Sequence, residues 1–508
     1  MAIDSKRISK NTLILFLRQI LVILVGLYTS RVILQSLGVT DYGIYGAVGG
    51  LVGFMGFLNG ALANSSSRFI TYALGERDET KSECTFTTTL TIHIILGVFI
   101  LILGEIIGVY MIYNHLIIPP ERINSALIAF QFSLLTMSFG ISQVPYSACF
   151  ISHENFNLVA YMSLWDVLVK LFIAIGLTYY GGDCLILFSG LIFVNSLGVM
   201  LFYRFYCARK YKEAKFKLHI DRNIFREIIA FTGWDFIYQF AYTLNSQGTT
   251  ILIGMFFNPV VVAAKTISVK VNSMTTQFIG QFRSAATPQI VKLYANNELL
   301  EFKSLVLSSA LYSFYIMWCM TLPVCLLARP LLQIWLEDIP EYTVIFVQLI
   351  MIDSLFWLFD CAFNVGIMAT GKMKWNSVLS SIINILRFPV IFIFFKLGFS
   401  PTSSFVISIC FGALIGCILK PILLQKIVQL FNFSDFFKNY ILCLKIVIIS
   451  TIIPYILTIC LDKQTLIGFM VIGFASVISV LITIYIWGIN RNTQTFINEY
   501  IRKRVFKL

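Results

Sequence analysis

Of 508 residues, 58% are apolar and only 12% are charged, and the mean hydropathy is +0.83. A water-facing surface normally needs about a quarter of its residues charged, so this composition excludes a soluble domain and points to lipid as the solvent. The net charge of +13 calls for no nucleic-acid partner, because the basic residues follow a membrane-topology pattern.

The polar leader carrying Lys6, Arg7 and Lys10 runs into an apolar stretch far longer than a signal-peptide core and without a small-residue cleavage site, so it reads as the start of span one. Taking about 20 apolar residues per crossing, with breaks at charges, Gly and Pro, spans fall near 11–36, 42–73, 84–113, 123–151, 156–180 and 184–206. The stretch Arg209 to Arg226 is the most polar in the chain and divides it. Beyond it lie 228–256, 259–290, 305–328, 342–371, 376–397 and 402–429, followed by a terminal pair at 440–461 and 465–488. The expectation is an all-α polytopic membrane protein of about 14 transmembrane helices. It comprises a six-helix lobe (1–207), a basic linker (208–227), a second six-helix lobe (228–430), and a helix pair with a basic tail (431–508).

Lys and Arg in alternate connections number 24 on one side against four on the other: Arg122, Arg329, Lys396 and Lys463. Under the positive-inside rule both termini are then expected in the cytoplasm. Outer connections are short, which argues against an enzyme with an extracytoplasmic catalytic domain. A faint internal repeat at an offset of 219 lays Asn64–Ser67 over Arg283–Ala286.

Several candidate motifs fail. Gly366 to Lys372 has P-loop spacing, but Met373 stands where a Ser or Thr must hold Mg²⁺, and the segment ends an apolar helix. His93, His115, His153 and His219 are scattered and the eleven cysteines form no C-x-x-C, so no metal site and no cofactor are expected. Gly46, Gly49, Gly53, Gly56 and Gly60 step by three and four along span two, a small face suited to close helix packing.

The informative residues are ionisable groups within spans. Lys420 and Lys445 lie near inner ends and are expected to snorkel, and Lys170 follows Asp166 by four residues, the spacing of an intrahelical pair. Seven cations remain: Arg18, Arg31, Arg68, Lys265, Lys270, Arg283 and Arg387. At about 3 kcal/mol each on the insertion scale, facing them all to lipid would cost roughly 20 kcal/mol, more than a folding stability of about 5–15 kcal/mol. They are therefore expected to line a wet central cavity and to bind an anionic cargo. Among the span acids Glu105, Asp166, Asp235, Asp353 and Asp360, the pair Asp353 and Asp360 share a helix face with Asn364. Asp235, Asp353 and Asp360 are the candidates for coupling to H⁺ or Na⁺, against a plainer role for Asp353 and Asp360 as partners of Arg387 or Lys265.

The run Tyr28-Thr29-Ser30-Arg31-Val32-Ile33-Leu34, with Leu37-Gly38 and Asp41-Tyr42-Gly43-Ile44-Tyr45-Gly46, resembles the first two spans of bacterial polysaccharide repeat-unit (O-antigen) flippases. These form the polysaccharide transport branch of the multidrug/oligosaccharidyl-lipid/polysaccharide (MOP) exporter superfamily. The resemblance implies a MATE-like fold in the bacterial inner membrane. It also implies turnover of undecaprenyl-diphosphate-linked oligosaccharide from the cytoplasmic to the periplasmic leaflet by alternating access, with membrane lipids and polysaccharide polymerase machinery as partners. Arg31, inside the motif, carries over directly; Arg18, Lys265 and Lys270 are assigned to the path by position. The alternatives of the same fold are a peptidoglycan lipid-precursor flippase and a multidrug exporter.

Overall fold

The structure, a computed structural model, describes residues 5–75, 78–153, 155–214, 217–336, 338–489 and 494–495, with side chains from residue 22 onward except at scattered helical positions that include 230–235. No strand occurs among the described residues. The helices are α1 (Ser5–Met55), α2 (Phe57–Gly75), α3 (Glu79–Asn114), α4 (Ile123–Ser152), α5 (Phe156–Leu177), α6 (Cys184–Lys210), α7 (Arg222–Thr243), α8 (Thr249–Phe256) and α9 (Pro259–Ala295). They continue with α10 (Leu299–Leu326), α11 (Ala328–Trp335), α12 (Thr343–Ala369), α13 (Lys374–Lys396), α14 (Ser403–Ala413), α15 (Lys420–Val428), α16 (Phe433–Cys460) and α17 (Leu466–Thr483). Ten helices among the described residues are long and apolar enough to cross a membrane.

The expected intervals are helical, with informative differences at their joints. Spans one and two are not separated by a loop. They meet inside α1 at Gly38, whose φ of 73° and ψ of 166° lie in a region open essentially to glycine alone. The interval 228–256 is α7 and α8 joined by a widened π turn, Leu244–Gly248. A second π turn, Leu414–Leu419, joins α14 to α15, and its successor Lys420 is followed by Pro421, which has no N–H to return to Cys417. The polar residues that punctuate the sequence cap helices: Asp78, Asp183 and Asp221 each accept two backbone N–H bonds at the starts of α3, α6 and α7.

The chain packs into two compact units. The first comprises Met1–Thr266, Trp335–Pro340 and Asn384–Pro401; the second comprises Ile267–Ile334, Glu341–Ile383 and Thr402–Leu508. In the first, α4 packs against α3 and α6, while α2 packs against α4 and α7. Phe86, Tyr146, Phe150 and Tyr203 belong to one buried cluster of this unit. The polar linker is pinned to this unit, because the Thr88 and Thr91 hydroxyls accept from the Asp221 and His219 amides at 3.0 and 3.1 Å. In the second, α10 packs against α12, α16 and α17. Tyr315 donates to the Gly488 carbonyl at 2.9 Å and Trp318 Nε1 to Ser450 Oγ at 2.9 Å, tying the terminal helix pair to α10.

The glycine face of span two is real but sits one register away from expectation. A Cβ on Gly43 would fall 1.9 Å from the Pro259 carbonyl oxygen, one on Gly46 2.4 Å from Thr266 Oγ1, and those on Gly50 and Gly53 within 3.2 Å of Thr250 and Gln247. Gly49, expected on that face, has nothing within 4 Å, and a Cβ on Gly56 would meet its own helix at Gly53 and the Met137 methyl; the side-chain position of Gly60 lies outside the described residues. The face is therefore Gly43, Gly46, Gly50 and Gly53. Gly43→Ala is expected to abolish recovery of folded protein, since a backbone atom blocks the added methyl. Gly49→Ala should purify as wild type and gain about 0.5–1 kcal/mol from helix propensity. Size-exclusion profiles and thermal unfolding in detergent separate the two, and equal behaviour would refute this register.

Candidate functional site

The sequence singled out ten residues, and they divide between the units. Arg18, Arg31, Arg68, Asp235, Lys265 and Arg387 belong to the first; Lys270, Arg283, Asp353 and Asp360 belong to the second. Arg18 and Asp235 occupy helical positions, but their side chains lie outside the described residues. Arg68 is exposed, Lys265 is buried at 9% exposure, and Arg31, Lys270, Arg283 and Arg387 are half-buried.

Arg31 lines a small pocket of about 110 Å³ beside the Gly38 break, with Gln35, Leu336 and Asp338. Trp335 closes on the same stretch of α1, its Nε1 donating to the Leu27 carbonyl at 2.9 Å. Arg283 donates to the Cys361 carbonyl at 3.2 Å and lies over the Trp357 ring at 5.8 Å. Asp353 faces Gly412, where an added Cβ would sit 3.3 Å from Oδ1. On α9, Asn272 Oδ1 accepts from Ser354 of α12 at 2.6 Å.

Lys420 overturns its expectation. It does not snorkel: at 1% exposure it is among the most buried side chains, whereas Lys445 is exposed, its ammonium 5.3 Å from the Trp487 ring centroid. Its ammonium reaches Asp360 Oδ1 at 3.0 Å, Asn376 Oδ1 at 2.6 Å and Asn364 Oδ1 at 3.2 Å. Asn376 in turn donates to Asn364 at 2.8 Å. The approach that allows this is glycine-dependent, since a Cβ on Gly416 in the π turn would lie 2.6 Å from the Phe356 carbonyl of α12. Asp360 is thus committed to Lys420, a partner not among those anticipated. The signal was present in Asp360 and Asn364 at helical spacing, but the depth of Lys420 depends on a widened turn that periodicity does not reveal. Lys170 does pair with Asp166 as its spacing implied, at 2.6 Å, and Asn195 joins at 2.9 Å.

The strongest polar cluster was invisible as a cluster in sequence. Arg122 donates from Nε to Asp41 Oδ1 at 2.8 Å and pairs again with Asp41 through Nη2. It also donates from Nη1 to Asp183 Oδ2 at 2.9 Å. Ser125 adds a bond to Asp183 at 2.6 Å. One guanidinium thereby joins the region after the Gly38 break to the starts of α4 and α6. These are alternate connections of the sequence, and the structure gathers them at one end of the first unit. Glu79, Glu83, Lys212 and Lys217, from the intervening connections, pair at the other end. In the second unit a cavity of about 460 Å³ brings Arg329 and Lys463 together with Gln348, Asp462 and Gln464.

Two comparisons place this architecture. The lipid II flippase MurJ, in an inward closed conformation, superposes with TM-score 0.69 at 13% identity over 93% of this chain and 98% of that one. An inward-facing multidrug resistance MATE family transporter of the MOP superfamily superposes with TM-score 0.65 at 14% identity, over 80% and 98%. A MOP superfamily transporter from Pyrococcus furiosus gives 0.54 at 14% identity, over 80% and 95%. The fold is therefore that of MOP superfamily transporters. The family of polysaccharide biosynthesis proteins matches residues 36–338, and the chain belongs to that family. No curated protein sequence matches the chain detectably.

Two outcomes test the clusters. Lys420→Ala leaves Asp360 without its ammonium and should cost about 3–5 kcal/mol, and adding Asp360→Asn should recover part of that loss. Equal unfolding midpoints for both variants in detergent would contradict the pairing. For Asp183, burial pushes the carboxyl up, but bonds from Ser125, Arg122 and the Ile186 amide outweigh it and hold it below the ordinary range. A depressed carboxyl contributes stability above its unfolded pKa of about 3.9 and loses it as pH falls through the folded value. The unfolding midpoint should therefore drop below about pH 4 in the wild type and do so less steeply in Asp183→Asn.

Proposed function

We propose that the chain is a flippase that turns undecaprenyl-diphosphate-linked oligosaccharide repeat units, precursors of O-antigen or capsular polysaccharide, from the cytoplasmic to the periplasmic leaflet by alternating access. The match of residues 36–338 to polysaccharide biosynthesis proteins carries this reading. It is supported by a fold shared with a lipid II flippase over 93% of the chain, a greater share than with the multidrug transporter. The cargo would be anionic, and the span cations Arg18, Arg31, Arg68, Lys265, Lys270, Arg283 and Arg387 are the proposed path for its diphosphate and sugars. Asp235 and Asp353 are the proposed coupling carboxylates for H⁺ or Na⁺, and Asp360, tied to Lys420, would exchange a cation only by releasing that ammonium.

The proposal includes fourteen crossings, arranged as lobes 1–207 and 228–430 with a terminal pair, and both termini in the cytoplasm of an inner membrane. The four crossings beyond the ten apolar helices are the rod before Gly38 and the rods Phe156–Leu177, Arg222 to Phe256 and Pro259–Ala295.

Arg31→Ala and Lys270→Ala are each expected to remove surface glycan while leaving the protein at wild-type abundance in the membrane. Immunoblots of glycan and of the protein report both, and normal glycan in the two variants would overturn the cargo assignment. In a background without the eleven native cysteines, an impermeant thiol reagent added outside spheroplasts should label Gly181→Cys and not Lys212→Cys. The opposite pattern would reverse the orientation.

A further inference from the structure

The end of the first unit opposite the Arg122 clamp holds a group of side chains that the transport reading does not use. Cys149 and His153 stand four residues apart at the end of α4 and just beyond it, so they share one helical face. Glu213 reaches them from the short helical turn Lys212–Ala214 that follows α6. His153 Nε2 lies 2.5 Å from Glu213 Oε1, and Cys149 Sγ lies 3.7 Å from the same oxygen. All three ligand atoms fall within 4.8 Å of one another. Cys149 and Glu213 are buried, and His153 faces a cavity of about 640 Å³ that Asp78, Glu79 and Glu83 also line.

A nitrogen and a carboxylate oxygen converging at this distance are joined either by a hydrogen carried on Nε2 or by a metal cation between them. Three features favour the metal. Sulfur, imidazole nitrogen and carboxylate oxygen together form a borderline-soft donor set that suits Zn²⁺ and disfavours Mg²⁺ or Ca²⁺. Tetrahedral zinc bonds of about 2.0–2.3 Å put sulfur and oxygen ligands about 3.5 Å apart, close to the observed Cys149 to Glu213 distance, and nitrogen and oxygen about 3.3 Å apart, so His153 must draw back from Glu213. The imidazole is held by its ring, stacked on Tyr211 at 4.1 Å and 11°, which permits that in-plane movement. The lysines nearby are engaged elsewhere: Lys210 donates to the Tyr206 hydroxyl at 2.9 Å and Lys212 pairs with Glu79 at 3.0 Å. The cavity offers a route of entry and a place for a fourth ligand, such as water.

We propose that Cys149, His153 and Glu213 form a three-ligand site for a Zn²⁺-class divalent cation, which staples the end of α4 to the turn leading into the polar linker. The site uses none of the span cations and does not depend on the cargo.

The test uses the full-length untagged chain in detergent, equilibrated with Zn²⁺ and dialysed against a weak chelator. Elemental analysis should find one zinc per chain, lost in Cys149→Ser and in His153→Gln. Zn²⁺ should also raise the unfolding midpoint of the wild type and leave both variants unmoved. With Co²⁺ in place of Zn²⁺, a thiolate-to-cobalt charge-transfer band should appear in the wild type and vanish in Cys149→Ser. A wild-type chain that retains no metal would overturn the proposal, as would variants that retain as much as the wild type, which would mark adventitious binding.

Discussion

An ionisable group carried into an apolar helix loses its water and must find a replacement from the protein, and much of the interior is arranged around this demand. Glu105 accepts from Gln131 at 2.8 Å, Asp166 from Lys170 and Asn195, and Asp360 from Lys420. Each acid is met from a neighbouring helix or from one turn along its own. Since buried pairs roughly break even against apolar packing, these contacts specify which helices face each other more than they add stability. Lys420 shows how far this goes. Its pair with Asp360 requires Gly416 to admit α12, a π turn to re-aim α15 and two asparagines to complete the ammonium's bonds.

Backbone constraints set the framework within which those pairs form. Gly38 turns α1 at a conformation that other residues enter at a cost of about 1–3 kcal/mol. Three residues later Asp41 meets Arg122, which also holds Asp183. The residues Gly38, Asp41 and Gly43, which carry the resemblance to polysaccharide flippases, thus have separate physical tasks: a break, an ion pair and a close approach to Pro259. A short motif combining three such requirements tolerates little substitution.

The fold was largely legible, because the spacing of apolar runs and polar caps follows from the thickness of a bilayer and from the needs of helix ends. The breaks at charges coincide in part with helix caps, as at Asp78, Asp183 and Asp221. Contacts between distant segments were not legible. Arg122 read only as a basic residue in a short connection, and nothing in its surroundings names Asp41 or Asp183 as partners. The glycine register slipped by a similar route: steps of three and four fit several faces of a glycine-rich helix, and only the neighbour at Pro259 to Thr266 selects Gly43, Gly46, Gly50 and Gly53. The four histidines read as scattered in the sequence, and although Cys149 and His153 are four residues apart, Glu213 lies 60 residues beyond His153 and joins them only through the fold.

The fate of each cation bears on what remains available to an anion. Lys170 and Lys420 are neutralised by carboxylates, so their fields are largely cancelled at a distance. Arg283 is satisfied otherwise, by the Cys361 carbonyl and the face of Trp357. A carbonyl and an aromatic ring are uncharged, so they stabilise the guanidinium without cancelling its charge, and in a low-dielectric surrounding that charge acts over a longer range. Arg31 stands between these cases, sharing a small pocket with Asp338 next to a glycine break. An arginine held by neutral groups can exchange a carbonyl for a phosphate oxygen at little loss, whereas a lysine locked to aspartate cannot. The second unit therefore contains both kinds of cation, Lys420 paired with a carboxylate where α12 packs against α15 and Arg283, half-buried, held by uncharged groups.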